Sequence, residues 1–142
     1  MAECADTVRS VLDAYNRRDW AAIADVCAPD FFFYDNTLAT GGHTKTEYVQ
    51  YWQGFSRAMS NQEISDLDLV ESGNFVVATM TCSGNHDGGE FLPGMAANGK
   101  HVTARLCALW RCDDHGKLVS NEWFWDILTV LRGLGHVDIP IR

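Results

Sequence analysis

Glu122 and Asp126 stand in Ser120-Asn121-Glu122-Trp123-Phe124-Trp125-Asp126, a run of strand type. Strand side chains alternate faces, so Ser120, Glu122, Phe124 and Asp126 share one face and Val119, Asn121, Trp123 and Trp125 the other. Aromatic surroundings favour the neutral form of a carboxyl group and bring it towards the range useful for proton transfer. The pair is therefore a candidate for general acid/base work, with two solvated carboxylates at a sheet rim as the alternative. Both faces carry large aromatics: one is expected to line a pocket, the other to pack on a helix or a second subunit. His86, in Ser83-Gly84-Asn85-His86-Asp87-Gly88-Gly89-Glu90, suits an acid, a base or a hydrogen-bond donor, and equally a loop histidine. No HxH, HExxH or cysteine pair supports a metal at His86, Asp87 and Glu90.

Asp35 and Asn36 follow an aromatic run that includes Phe33, where the chain leaves the interior, and either can project into a cavity. Tyr15, Tyr51 and Trp52 lie on helix faces, where a pocket wall and a core wall look alike. Arg105 sits in the mostly apolar Thr103-Ala104-Arg105-Leu106-Cys107 and needs a partner if buried. A carboxylate of the last strand is the natural candidate. There is no GxGxxG, Walker loop or GxSxG elbow, so neither nucleotide nor flavin is indicated.

These residues need elements to position them. Val8, Val11, Leu12 and Tyr15 fall on one helix face between Thr7 and Arg18. Asp19 can cap a short second helix, which Pro29 ends. Phe31 to Asp35 reads as a strand and Gly41-Gly42 as a turn. Thr44-Lys45-Thr46-Glu47 is a capping box before an aromatic helix face of Tyr48, Tyr51, Trp52, Phe55 and Met59. Strand-like segments follow over 62–71, 75–86, 101–112 and 117–126, with a Gly-rich loop over 87–99, and a short helix over 127–134 stops at Gly135. Helices first and a long meander last predict one α+β domain over 1–142. Its curved antiparallel sheet wraps around the N-terminal helices and forms a cone-shaped pocket.

The 142 residues, with 46% hydrophobic and 21% charged, fit one folded domain rather than a disordered chain. A formal net charge of −8 with no basic run disfavours nucleic acid and strongly anionic substrates. No secretory signal stands in Met1-Ala2-Glu3-Cys4-Ala5-Asp6, and no apolar stretch has the length of a membrane helix, so neither export nor a membrane is expected. The five scattered cysteines, Cys4, Cys27, Cys82, Cys107 and Cys112, read as reduced thiols packed in a cytoplasmic protein.

Three stretches resemble the SnoaL-like polyketide cyclase family, within the nuclear transport factor 2-like and ketosteroid-isomerase-like superfamily. Gly84-Asn85-His86-Asp87-Gly88-Gly89-Glu90-Phe91-Leu92 is similar to the family's G-x-H-x-G-x-F segment. Gly116 to Asp126, followed by Leu131-Arg132-Gly133-Leu134-Gly135, is similar to its W-D and L-L-R-Q-L-G ending. Tyr15-Asn16-Arg17-Arg18-Asp19-Trp20 is similar to its first helix and turn. The resemblance implies a cone-shaped pocket, often a dimer, and a catalytic aspartate at Asp126 that serves an aldol ring closure as acid and base. It matches His86 to a substrate-contacting histidine. Glu122 departs from a usual aromatic, and Asp35-Asn36 from the usual Asp-His pattern.

The expectation is a cofactor-independent cyclase or isomerase of a small hydrophobic, polyketide-like intermediate, working as a homodimer or larger homo-oligomer. Asp126, His86 and Glu122 form the expected catalytic set. Asp35, Arg105, Tyr15, Trp52, Tyr51, Phe33 and Phe124 form the expected substrate contacts. An epoxide hydrolase or hydratase using Glu122 and Asp126, and a non-catalytic binding module, are the alternatives, since one scaffold hosts many chemistries.

Overall fold

The computed structural model describes residues 3–138. Met1 and Ala2, part of the N-terminal stretch read above, and residues 139–142 lie outside it. The elements run α1 (Cys4–Arg17), α2 (Trp20–Asp25), β1 (Cys27–Asp35), β2 (Thr40–Gly42), α3 (Lys45–Ala58), β3 (Glu63–Ser72), β4 (Phe75–Asn85), β5 (His101–Cys112), β6 (Leu118–Trp125) and α4 (Ile127–Gly133). Two local expectations change. Gly41 and Gly42, read as a turn, form β2 and pair with β1, where a Cβ on Gly41 would overlap the Phe33 carbonyl oxygen. Pro29 lies inside β1; α2 ends earlier, at Asp25.

The capping signals act as read. Asp19 accepts from the Ala22 N–H at the start of α2, and Thr44 accepts from the Glu47 N–H at the start of α3. The Glu47 carboxylate reaches back to the N–H of His43 at 3.3 Å rather than to that of Thr44.

The six strands form one curved, open sheet in the order β2-β1-β6-β5-β4-β3. Every pairing is antiparallel except β1 with β6, which run parallel, a departure from the all-antiparallel expectation. The register slips between Ser65 and Asp68, where Asp66 adopts a left-handed φ of 51°, and a bulge of this kind bends the edge strand. Val8, Val11, Leu12 and Tyr15 of α1 pack against the concave side with Val76, Ala78, Met80 and Trp110. A second cluster gathers Met59, Phe91, Val102, Leu131 and Leu134 where the 87–99 loop and α4 meet β5.

The reading of the cysteines changes. Cys4 and Cys112 are joined by a disulfide, while Cys27, Cys82 and Cys107 are free. The fold brings the first turn of α1 onto the end of β5, with Cα atoms 5.7 Å apart across 108 residues of sequence. Beside it the Ala5 N–H donates to Glu71 at 2.7 Å. The support that reduced cysteines gave to a cytoplasmic location is thereby removed. Among the described residues no helix is long and apolar enough to cross a membrane.

Candidate active site

Register decides which side chains meet inside the cone. Leu106 pairs with Trp125, Ala108 with Trp123 and Trp110 with Asn121. Across the next ladder Cys82 pairs with Ala104 and Ala78 with Ala108. These residues face the helices; their neighbours Glu122, Phe124, Arg105 and Cys107 face outward. Ala78 and Ala108 are packed into the core, while Ala104, Leu106, Trp123 and Trp125 border open space. The concave side encloses an apolar cavity of about 70 Å³ between the sheet and α1, α3 and α4. Trp52 stands at its centre, edge-on to Tyr15, Tyr48 and Trp123.

One carboxylate reaches this wall. Asp35 ends β1 and is 1% exposed. Its Oδ1 accepts from the N–H groups of Thr37 at 2.9 Å and Leu38 at 3.1 Å, an Asx-type turn that aims the side chain inward. Its Oδ2 accepts from Trp125 Nε1 at 2.8 Å and from the Tyr51 hydroxyl. A buried carboxylate without such donors would be prohibitively costly. Tyr51 is raised well above the ordinary phenol range, first by burial and then by its bond to Asp35, so it stays protonated and acts as a donor. The twenty or so lining residues include no Lys, Arg or His.

Two further polar groups border the space. The Tyr15 hydroxyl donates to Gln62 Oε1, and burial raises the Tyr15 phenol as well. Cys82, beside the Gln62 amide, is pushed up to about 11 by burial, so it is a thiol and not a nucleophilic thiolate at neutral pH. Deeper in, Asn121 Oδ1 accepts from Tyr48 at 2.6 Å and from the Trp123 indole, while its Nδ2 donates to the Leu109 carbonyl at 3.0 Å. The Trp110 indole N–H is buried, and among the described residues it has no hydrogen-bond partner.

The expected site residues divide. Asp35, Tyr15 and Trp52 line the cavity. Tyr51 holds Asp35, and Phe33 packs on Tyr48 and Tyr51 within the core. Asp126 is elsewhere: it is the exposed N-cap of α4, accepting from the Thr129 N–H at 3.1 Å and Oγ1 at 2.6 Å. Those bonds to Thr129 hold it below the usual carboxylate range, the opposite of the raised acid expected. Glu122 is half-buried on the outer face beside Tyr34, with Asn36 Nδ2 at 3.4 Å. Phe124 is 42% exposed on the same face. Arg105 is exposed there too, and its partners are Thr81 Oγ1 and the Asp66 carbonyl rather than a carboxylate of β6.

His86 is fully buried but lies beneath the cavity wall. Its Nε2 bonds the Gly89 carbonyl at 2.9 Å and its Nδ1 lies 3.3 Å from His136 Nε2. Its backbone bonds Lys100, Asn98 and Gly99, so it ties the root of the 87–99 loop. That loop in turn puts Phe91 into the cavity. Reasoning from sequence did not single out Trp125 or Gln62. The odd face of β6 was the available signal for Trp125; Gln62, at the start of a strand, offered none.

A family profile described as SnoaL-like polyketide cyclase matches residues 5–134. No curated protein gives a significant match to the sequence. Among solved structures, AclR of Streptomyces galilaeus, described as a candidate hydroxylase, is 21% identical, with a TM-score of 0.81 over 95% of this chain and 97% of its own. IdmH of Streptomyces antibioticus, described as a candidate polyketide cyclase, is 20% identical, with a TM-score of 0.80 over 94% and 99%. A candidate SnoaL-like polyketide cyclase from Jannaschia sp. CCS1 is 17% identical, with a TM-score of 0.84 over 95% and 93%. At these identities the likeness establishes the fold that the profile match already places.

Proposed function

The chain belongs to the SnoaL-like polyketide cyclase family, and from that membership we propose that it is a cofactor-independent cyclase or isomerase with Asp35 as its acid/base. The observation that carries this reading is a single carboxylate, buried among indoles and phenols, on the wall of an apolar cavity. Asp35 would take a proton from a carbon next to a carbonyl. The resulting enolate carbon would form the new bond to a second carbonyl carbon in a ring closure, or be reprotonated elsewhere in an isomerisation. The proton held by Asp35 would then pass to the new alkoxide or carbon. Tyr51 and Trp125 keep the carboxylate aimed during both transfers. Such a group contributes about 10²–10⁴-fold. Glu122 and Asp126 lie outside the cavity, so the paired-carboxylate hydrolase loses its basis, and His86 acts through the loop it ties.

The test is solvent-deuterium exchange at enolisable carbons of fused-ring ketones, followed by NMR for wild type, Asp35→Asn and Asp126→Asn. Asp35→Asn is expected to lose about 10²–10⁴-fold while Asp126→Asn keeps most of the rate. The reverse result returns catalysis to Asp126. Ligand binding without exchange by wild type favours a binding module.

A second copy of the chain is the proposed partner, seated on the outer sheet face. Phe32, Tyr34 and Phe124, each about two-fifths exposed, stand on adjoining strands there. A monomer by light scattering at micromolar concentration would remove this proposal.

A further inference from the structure

We infer that the cavity takes an elongated, uncharged ligand held at both ends, with Gln62 and Tyr15 forming a specificity-determining station remote from Asp35. This rests on the cavity being the ligand site. Gln62 is 8% exposed and Tyr15 5%, and the phenol fixes the amide by donating to Oε1. Among the described residues no group accepts a hydrogen bond from Gln62 Nε2, which leaves this N–H free beside the cavity wall. A well-placed amide donor at an apolar wall is what a ligand carbonyl would engage.

The station is braced from behind. Arg18 donates through Nη1 to the Tyr15 carbonyl at 2.9 Å, and through Nη2 to the carbonyls of Gln62 at 2.7 Å and Ser60 at 3.1 Å. Its guanidinium also lies 5.3 Å from the Tyr15 ring centroid. Arg18 adopts φ 60°, a left-handed conformation that costs a non-glycine residue energy and persists only where surrounding contacts hold it. Asn16 bonds both the N–H and the carbonyl of Ile64 at 2.8 Å, fixing α1 against β3 at the same place. A braced, fixed amide is suited to reading a ligand's shape.

The two stations are far apart. Asp35 is on β1 and Cys82, beside Gln62, is on β4, with β6 and β5 between them. Three strand spacings are roughly 14 Å measured along the sheet. That span fits a fused multi-ring skeleton, and Trp52, Phe55 and Trp123 offer ring faces between. The ligand presents a carbonyl to Gln62 and a hydrogen-bond donor or acidic proton to Asp35. An anionic group has no place: the wall holds no cation, Asp35 repels it, and a buried unpaired charge is strongly disfavoured.

The experiment titrates three rigid probes against intrinsic tryptophan fluorescence. Estrone carries a phenol at one end and a ketone at the other; its deoxy analogue lacks the ketone; its sulfate ester is anionic. Estrone is expected to bind at least about tenfold more tightly than the sulfate. Gln62→Met, which keeps the volume, is expected to weaken estrone about tenfold and leave the deoxy analogue unchanged. Equal losses for both would mean that Gln62 only packs, and would overturn the station. Sulfate binding as well as estrone would overturn the exclusion of charge. If Gln62→Met does not fold, Tyr15→Phe, which frees the amide, is read against the same pair. If no probe binds wild type while smaller ketones still exchange protons through Asp35, the two-ended ligand falls and the catalytic reading stands. Loss of both discards the cavity as the site.

Discussion

Reducing the Cys4–Cys112 bond is expected to lower Tm by about 10 °C and to loosen the wall that carries Tyr15. The bond joins residues 108 apart. Cross-linking a loop of roughly 100 residues removes about 4.7 kcal/mol of unfolded-state entropy in the chain-entropy picture, and about 2–4 kcal/mol is the commoner outcome. At about 2.1 cal/mol/K per residue, a chain of 142 residues has an unfolding entropy near 0.3 kcal/mol/K, so about 3 kcal/mol corresponds to about 10 °C. Both sulfurs belong to buried residues, so reduction leaves packing volume almost unchanged and isolates the cross-link. Cys4 opens α1, which sends Val11, Leu12 and Tyr15 into the cavity wall, so ligand affinity should fall with reduction before the protein unfolds. Circular-dichroism melts with and without reductant measure the first effect. Thiol titration of the unfolded chain gives an independent reading: three reactive thiols without reductant, five with it. Five thiols in both samples, or melts agreeing within about 2 °C, would refute the reasoning.

Acid should lower the stability of the protein through three depressed carboxylates. Ser60 holds Asp87 below its ordinary value, the N–H groups of Lys117 and His115 do so for Asp113, and Thr129 does so for Asp126. A group depressed in the folded state contributes stability above its unfolded pKa of 3.8 and loses it as pH falls through the folded value. Tm should therefore drop below about pH 4, and Asp113→Asn should flatten that drop; a wild-type-to-variant difference constant from pH 7 to the acid limit would contradict this. Gly88→Ala should lower Tm and weaken ligand binding, because a Cβ there would overlap the Arg57 carbonyl oxygen and lift the loop that carries Phe91. Gly89→Ala, with nothing within 4 Å of its Cβ, is the control, and equal behaviour of the two variants would contradict the close approach.

Much of the frame was legible because it is local. The i, i+3, i+4, i+7 pattern of Val8, Val11, Leu12 and Tyr15 and the capping residues Asp19 and Thr44 each act over a few neighbours. β2 was not legible, because a three-residue strand takes its identity from pairing with Phe33, Tyr34 and Asp35. The parallel contact of β1 with β6 and the Cys4–Cys112 pair both join distant parts of the chain, and nothing in spacing encodes either. Gln62 escaped for the same reason: its partners Tyr15 and Arg18 stand together at the end of α1, more than 40 residues away in the sequence.

Asp126 is the instructive case, since the two local rules that bear on it point different ways. Strand alternation carried from Glu122 through Phe124 to Asp126 puts all three on one face, and they do share the outer side. That face carries an open recess bordered by Arg105, Phe124 and Asp126, while the enclosed apolar cavity lies on the other side of the sheet. Trp123 and Trp125 are too large to face solvent on a sheet whose opposite positions are Ala108 and Leu106, so burial drives the odd face inward. Asp126 also begins Asp-Ile-Leu-Thr, an N-cap followed by a helix whose third residue is Thr129, and it fills that capping role with both carboxyl oxygens engaged. A carboxylate held by its own helix in water gains nothing from the cavity. Asp35 ends a strand whose inward residues include Phe31, Phe33 and itself, and Trp125, one residue before Asp126, donates its indole N–H to it. The Trp-Asp ending thus reaches the cavity through its tryptophan, which is why Asp35→Asn and Asp126→Asn separate the two readings so cleanly.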